Sequence, residues 1–328
     1  MIWLFITLLF IFLSLIVWLF QTSDQLTQID EQEIDKRIVV ISGCDTGFGR
    51  ASALDLAQRG FLVFAGCLNV HKCHFNHRNL IPMQMDVTKI DQMKDCFEQV
   101  SEYVENNPGC YLTGVVANAG VSLGLPIEIL PDDWLYKIVN VNFYGTVSLF
   151  KMFLPLLRRG NVGKRKSLIA VSSMAAYLPG PQGYAAYSAT KAAIRQYNSC
   201  LRFELSKFGI SVSTIYPDVY PTEAVVNIKA NEQLIESTIA NVYTKIPVVV
   251  DDYGGPRTIV TKCKKELNLL PTLAHKSLKP MTDAIFHALA SDSPKNDYFP
   301  INLDVKIGFF ISKLSDSLFS MIINKLYD

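Results

Sequence analysis

A chain of 328 residues with 49% hydrophobic content can bury a large core, which excludes a disordered protein. Its 31 basic residues are balanced by 30 acidic ones, a formal charge of +1, and no basic stripe runs along it, so nucleic acid is not an expected partner. Seven cysteines, an odd number without C-x-x-C spacing, read as free thiols rather than a disulfide framework.

The first twenty residues, MIWLFITLLFIFLSLIVWLF, carry no charge. As a helix rising ~1.5 Å per residue they reach ~30 Å, the thickness of a bilayer core. A basic start and a small-residue cut site are both missing, so residues 1–20 read as an uncleaved membrane anchor rather than a signal peptide. Its orientation is barely encoded: Lys36 and Arg37 follow an acidic run from Asp24 to Asp35, which leaves only a lean toward a cytosolic catalytic domain. Residues 21–36 are a polar, acidic linker.

From Arg37 short apolar runs alternate with stretches of helical period. Strands are expected at 38–41, 61–65, 81–85, 114–117, 167–172 and 210–216, and helices at 49–59, 90–105, 132–157 and 184–208. Parallel strands buried on both faces read as continuous Val/Ile/Leu runs, so this rhythm predicts an α/β fold: a Rossmann-type doubly wound parallel sheet in one domain, residues 37–300. His71, Cys73, His74 and His77 lie in a short polar stretch without a second ligand pair and read as a solvated loop, not a metal site. Residues 218–275 look irregular, a natural substrate lid, before helical period returns at 280–290. The tail, 301–328, is apolar but broken by Lys306, Lys313, Asp316 and Lys325, which argues against a second span. It is expected to pack on the domain, with a helix in the membrane interface as the alternative.

The first strand leads into Gly43-Cys44-Asp45-Thr46-Gly47-Phe48-Gly49 and then a helix. Glycines suit a tight turn and a close approach to a pyrophosphate lying on a helix N-terminus. Asp86, after the third strand, can accept from an adenine amino group, and Asn118-Ala119-Gly120 ends the fourth strand with a small, permissive run. A 2′-phosphate calls for Arg or Lys near the loop or the second strand end, where this chain has Asp45, Thr46, Leu68 and Asn69. NAD is therefore expected over NADP.

Tyr187 and Lys191 stand one helical turn apart and project from one face. A phenol is a poor base near neutral pH, and a neighbouring ammonium favours its ionised form. Ser172 and Ser173, at the end of the preceding strand, can offer a hydroxyl to a substrate oxygen.

Gly43, Gly47 and Gly49, Asp86, Asn118-Ala119-Gly120, Asn142, Ser173 and Tyr187/Lys191 together resemble the ordered signature of the classical short-chain dehydrogenase/reductase family, over residues 37–328. Within it, the glycine loop, residues 61–68 and residues 201–209 resemble the branch that holds retinol dehydrogenases, 17β- and 11β-hydroxysteroid dehydrogenases type 2 and 3-hydroxybutyrate dehydrogenase. The resemblance implies Tyr187 as general acid/base and Ser173 as the group that orients the substrate oxygen. It implies Lys191 as the group that lowers the tyrosine pKa, Asn142 as a holder of a relay water, and Thr222 as a partner of the nicotinamide carboxamide. Three departures stand out. Ser173 and Tyr187 are fourteen apart rather than thirteen, with Ser172 as fallback. Pro217-Asp218 replaces the usual Pro-Gly and would set a carboxylate near the nicotinamide or the substrate entrance, and Ala117 replaces the first Asn of Asn-Asn-Ala-Gly.

The expected function is hydride transfer between a nicotinamide cofactor and the alcohol or ketone of an apolar substrate, a steroid or retinoid. The expected place is the endoplasmic reticulum membrane, or alternatively a mitochondrial membrane. A homo-oligomer is left open. A short 3-hydroxy acid would want a cation in the lid, which offers only Lys229 and Lys245 before Arg257. A non-catalytic dinucleotide- or lipid-binding protein is the other alternative.

Overall fold

The computed structural model describes residues 31–159, 164–179, 183–223 and 228–302, with 304–306, 309 and 312 beyond them. The expected anchor, most of the linker and most of the tail lie outside the described residues. Among the described residues no helix is long and apolar enough to cross a membrane.

Among the described residues seven strands form one sheet: β1 Arg37–Ser42, β2 Leu62–Cys67, β3 Leu80–Gln84, β4 Tyr111–Ala117, β5 Lys166–Val171, β6 Ile210–Ile215 and β7 Asp297–Tyr298. Their order is β3-β2-β1-β4-β5-β6-β7, and every neighbouring pair is parallel. The connecting helices are α1 Gly47–Gln58, α2 Ile90–Asn106, α3 Asp132–Val139, α4 Gly145–Arg159 and α5 Ala185–Ser206. β3 is an edge strand, and Pro82, exposed within it, has no N–H to offer a further neighbour.

Strand side chains alternate between two faces, and the two cores follow that alternation. Val39 and Ile41 pack with Leu56 of α1 and Ile285 and Leu289 of α9, Lys279–Ala290. Ile38 and Val40 pack instead with Val100 of α2, Phe150 and Phe153 of α4 and Ile194 of α5. β1, β2 and β4 to β6 bury nearly every residue, which is why they read as unbroken apolar runs.

Three expectations need correction. The single helix expected over 132–157 contains a π-turn, Asn140–Tyr144, between α3 and α4. The irregular segment 218–275 is largely helical: α6 Ile228–Lys245, α7 Pro247–Asp252 and α8 Gly255–Leu273. Ile235, Ile239, Val250, Ile259 and Leu267 of these helices close a third core over Leu125, Ile129 and Ile138. Pro247, Gly254 and Pro256 look like loop residues in sequence but sit where helices begin. The 71–77 stretch is solvated at His71 and His74, but Cys73 turns inward and is buried.

Of the tail, Val305 and Phe309 pack on the domain. Phe309 meets Tyr177 at 5.1 Å and Phe299 at 5.6 Å between ring centroids. All seven cysteines are free.

Candidate active site

The carboxyl ends of β1, β4, β5 and β6 open on one edge of the sheet, beside the switch of strand order between β1 and β4, where open α/β sheets take their ligands. β1 runs into the glycine loop. Gly43 and Gly47 adopt φ of 71° and 57°, the left-handed region that side chains disfavour. Gly49 meets a different limit, because a Cβ there would strike the Gly43 carbonyl. Thr46, exposed, occupies the N-cap position of α1 without a side-chain cap bond, and the loop presents that helix's N-terminus to a cleft of about 480 Å³. Asp45, Thr46, Gly47, Arg50, Lys72 and Thr222 line that cleft. The bare loop, the helix start and the cleft fit a dinucleotide pyrophosphate.

Asp45 reaches across to the end of β2, where its two oxygens accept from the backbone N–H groups of Leu68 (2.8 Å) and Asn69 (2.9 Å). Phe48 meets Tyr220 edge to face at 5.1 Å, and Thr222 comes so near Gly47 that a Cβ there would sit 3.3 Å from the threonine. Asp86 uses Oδ1 to accept from the Thr88 N–H and hydroxyl, which orients its carboxylate at the end of β3. Asn118 faces the scaffold: its Nδ2 donates to the carbonyls of Ser42 (2.9 Å) and Gly43 (3.0 Å). The Ser42 hydroxyl in turn accepts from the N–H groups of Asn118 and Ala119, both at 3.1 Å. Sequence reasoning missed Ser42, which staples the glycine loop to β4; a hydroxyl as the last residue of a buried apolar strand was the available signal. Arg50 and Lys72 in the cleft were also missed. Arg50 is engaged, its Nη2 donating to the His74 carbonyl at 2.8 Å while its guanidinium stacks 4.6 Å over Phe75.

Tyr187 and Lys191 share one face of α5, with the Lys191 Nζ 5.5 Å from the Tyr187 ring centre. Nζ donates to the Val171 carbonyl at 2.9 Å, and burial lowers the ammonium pKa to about 8. Burial pushes the Tyr187 phenol up, and a hydrogen bond with the Ser173 side chain pulls it back. Ser173 is thus the hydroxyl that acts on the phenol across the fourteen-residue spacing, while its Oγ also accepts from the Ala175 N–H at 3.1 Å. Ser172, the fallback, is ruled out: its hydroxyl is buried and donates to the Lys191 carbonyl at 2.9 Å.

Asn142 lies in the π-turn, fully buried. Its Oδ1 accepts from the Val121 N–H (2.8 Å), and its Nδ2 donates to the Val121 carbonyl (3.0 Å) and the Thr190 hydroxyl (3.1 Å). Thr190 donates on to the Tyr187 carbonyl at 2.7 Å. The side chain of Asn142 thus locks β4's exit to the catalytic helix. π-turns concentrate at functional sites, where the extra residue re-aims side chains. Gly120 completes the group: a Cβ there would lie 3.4 Å from the Asn142 amide oxygen and 3.5 Å from Lys191 Nζ.

Asp218 corrects its expectation. Its carboxylate is not open to the cleft but almost wholly buried, with the His275 ring 2.6 Å from one oxygen and the Asn302 N–H 2.8 Å from the other. The lid's Arg257 also lies elsewhere, in a cavity of about 430 Å³ between α6 and α8 with Glu236 and Lys264.

A parallel doubly wound sheet, a glycine-lined cleft and a phenol, hydroxyl and ammonium on the same edge define a nicotinamide-dependent oxidoreductase acting on CH–OH groups. The chain belongs to the short-chain dehydrogenase family, whose model matches residues 37–233. It is 35% identical to estradiol 17-beta-dehydrogenase 2 of Rattus norvegicus over 84% of this chain and 70% of that one. It is 30% identical to the mitochondrial D-beta-hydroxybutyrate dehydrogenase of Bos taurus over 82% and 78%. The solved structure of a short-chain dehydrogenase from Streptomyces avermitilis superposes with a TM-score of 0.63 at 20% identity, covering 88% of this chain and 95% of that one, and shows the same fold.

Proposed function

We propose that this chain is an NAD-preferring dehydrogenase of apolar alcohols, steroid or retinoid in class, held at a membrane by residues 1–20. The carrying observation is the Tyr187 and Lys191 pair, with Ser173 acting on the phenol, on the same edge of the sheet as the glycine loop. When bound, the nicotinamide dinucleotide supplies the ring that accepts or gives up the hydride. Gly43, Gly47, Gly49 and Thr46 cradle its pyrophosphate. Asp86 faces the adenine, with Asn118, Ala119 and Gly120 framing the middle of the cleft and Phe48 and Thr222 bounding it on the other side. Lys191 holds ribose hydroxyls and Thr222 the carboxamide.

In oxidation, the Ser173 hydroxyl donates to the substrate oxygen while the Tyr187 phenolate oxygen takes the hydroxyl proton. In reduction, the phenol returns it. Burial disfavours the phenolate and the Ser173 side chain offsets part of that; the Lys191 ammonium, 5.5 Å from the ring centre and charged below about pH 8, would add its positive charge to the same side. Asn142 keeps the two helices and β4 in register for this transfer, and a water held beside it relays protons from Lys191.

Asp45 supports the choice of NAD. Its carboxylate sits at the end of β2, where it would repel a 2′-phosphate and can accept from a free 2′-hydroxyl. Arg50 is turned to His74 and Phe75, which leaves Lys72 as the counterweight in the cleft.

Relatives named for estradiol and for hydroxybutyrate leave two substrate classes in view. An apolar one is favoured because Arg257, the guanidinium a carboxylate would seek, lies in a separate cavity beside Glu236 and Lys264. The endoplasmic reticulum membrane is the proposed location, with a mitochondrial membrane as the alternative. The test is a panel of sterols, retinoids and short hydroxy acids, read by reduced-cofactor fluorescence with NAD⁺ and NADP⁺. Turnover of hydroxybutyrate without any sterol or retinoid would overturn the apolar reading. Tyr187→Phe should lower turnover by about 10³-fold while NADH affinity stays within about twofold. Undiminished turnover would sink the assignment of Tyr187.

A further inference from the structure

The loop leaving β6 carries Thr222 toward the glycine loop, and three distant segments hold it. Asp218 lends one carboxylate oxygen to the Asn302 N–H at 2.8 Å, and the other approaches His275 Nε2 at 2.6 Å in a close, non-linear contact. The His275 N–H donates to the Val219 carbonyl at 3.0 Å. The His275 ring stacks on Tyr220 at 3.9 Å with the planes 10° apart. Tyr220 is fully buried, its hydroxyl donating to the Pro300 carbonyl at 2.8 Å and its ring meeting Phe48 of the glycine loop. The Thr222 N–H closes the turn on the Tyr220 carbonyl at 2.7 Å.

The two side chains are 4% and 11% exposed, so neither polar group has water as a fallback. Burial pushes the Asp218 carboxyl up, while the Asn302 N–H and His275 pull it back. A glycine here, the residue usual in the family, could make none of these contacts. The two polar side chains therefore join the start of the 218–275 segment, at Asp218, to its return, at His275.

We propose that Asp218 and His275 are a positioning pair that presses the 218–222 loop onto the glycine loop and so sets how tightly the nicotinamide end of the dinucleotide is held. The inference rests on the reading that Thr222 meets the carboxamide. Neither residue touches the reacting atoms. Their loss should weaken cofactor binding and leave the chemical step nearly intact.

The experiment uses the full chain and measures NADH affinity by fluorescence, KM and kcat, and hydrogen exchange of amides 219–223. Asp218→Ala and His275→Ala should each weaken NADH by about tenfold and speed that exchange, with kcat changed by less than about twofold. The double variant should be no worse than the worse single one, because the two residues act as one unit. Asp218→Asn keeps an oxygen for the Asn302 N–H and a polar partner for Nε2, and should recover to within about threefold of wild type. His275→Phe keeps the stack on Tyr220 but loses Nε2, and should behave as His275→Ala. Thermal melting identifies any variant that has failed to fold, and Asp218→Asn and His275→Phe then carry the test. Unchanged NADH affinity in Asp218→Ala, strictly additive losses in the double variant, or wild-type behaviour in His275→Phe would overturn the pair. Thr222→Val separates this from the reading beneath it. Unchanged affinity there removes the Thr222 contact alone, and exchange at 219–223 still decides whether Asp218 and His275 hold the loop.

Discussion

Between Arg37 and Pro217 the site hangs on the backbone of a parallel sheet packed from both faces, and its polar groups are satisfied mostly by main-chain partners: Asn118 by Ser42 and Gly43, Asn142 by Val121, Lys191 by Val171. From Asp218 to Leu273 the chain is held differently. Helices α6 to α8 close on one another and over Leu125, Ile129 and Ile138 through Ile235, Ile239, Ile259 and Leu267, and a few polar side chains add ties to the sheet half. The contrast separates two tasks. The chemistry needs atoms fixed to a fraction of an ångström, which a sheet's ladder supplies. A cover for the substrate needs only apolar complementarity and can open as a unit.

That contrast can be broken most directly from the lid side. Ile239, 1% exposed, should cost about 3 kcal/mol when cut to alanine, as buried large-to-small changes do. If the halves are separable, hydrogen exchange should show amides across 228–273 losing protection while β1 and β4 keep theirs. Equal loss in both halves would refute the division.

A smaller effect of opposite sign is expected in the sheet half. Lys191 is buried with its pKa lowered to about 8 from an ordinary 10.5, so below pH 8 the unfolded chain holds its proton more favourably than the folded one. Lys191→Met should therefore stabilise the cofactor-free protein at pH 7 by about 2 kcal/mol, the lost bond to the Val171 carbonyl discounted, while abolishing turnover. The sign is checkable by urea titration at several pH values. The advantage should be full below pH 8 and fade between 8 and 10.5.

The smallest effect concerns the cleft. Asp45→Ser removes the carboxylate that the proposed NAD preference rests on and should shift the NADP⁺ to NAD⁺ ratio of kcat/KM by about tenfold toward NADP⁺. An unchanged ratio would mean that Lys72 outweighs Asp45 in the choice.

Much of the sheet half was legible in the sequence because buried parallel strands and one-turn residue pairs leave strong local patterns: 38–41 for β1, 210–216 for β6, Tyr187 and Lys191 on one face. The order of glycines, Asp86, Asn118 and Asn142 carried the site. What escaped depends on contacts between distant residues. β7 is two residues, Asp297 and Tyr298, recruited by β6 without any apolar run of its own. The π-turn at Asn140–Tyr144 leaves no mark on helical period. Two of the lid helices, α7 and α8, begin at prolines and glycines that read as breaks. Asp218 was visible as an oddity, but its partner His275 lies 57 positions away, beyond the reach of any local pattern.

Pro82 has a bearing on how this molecule can meet its own copies. An unpaired strand at the rim of a sheet is a template on which another chain can crystallise its backbone, and here one rim carries a residue with no N–H while the other ends in a two-residue strand. Both rims are therefore poor templates for growth of the sheet from molecule to molecule.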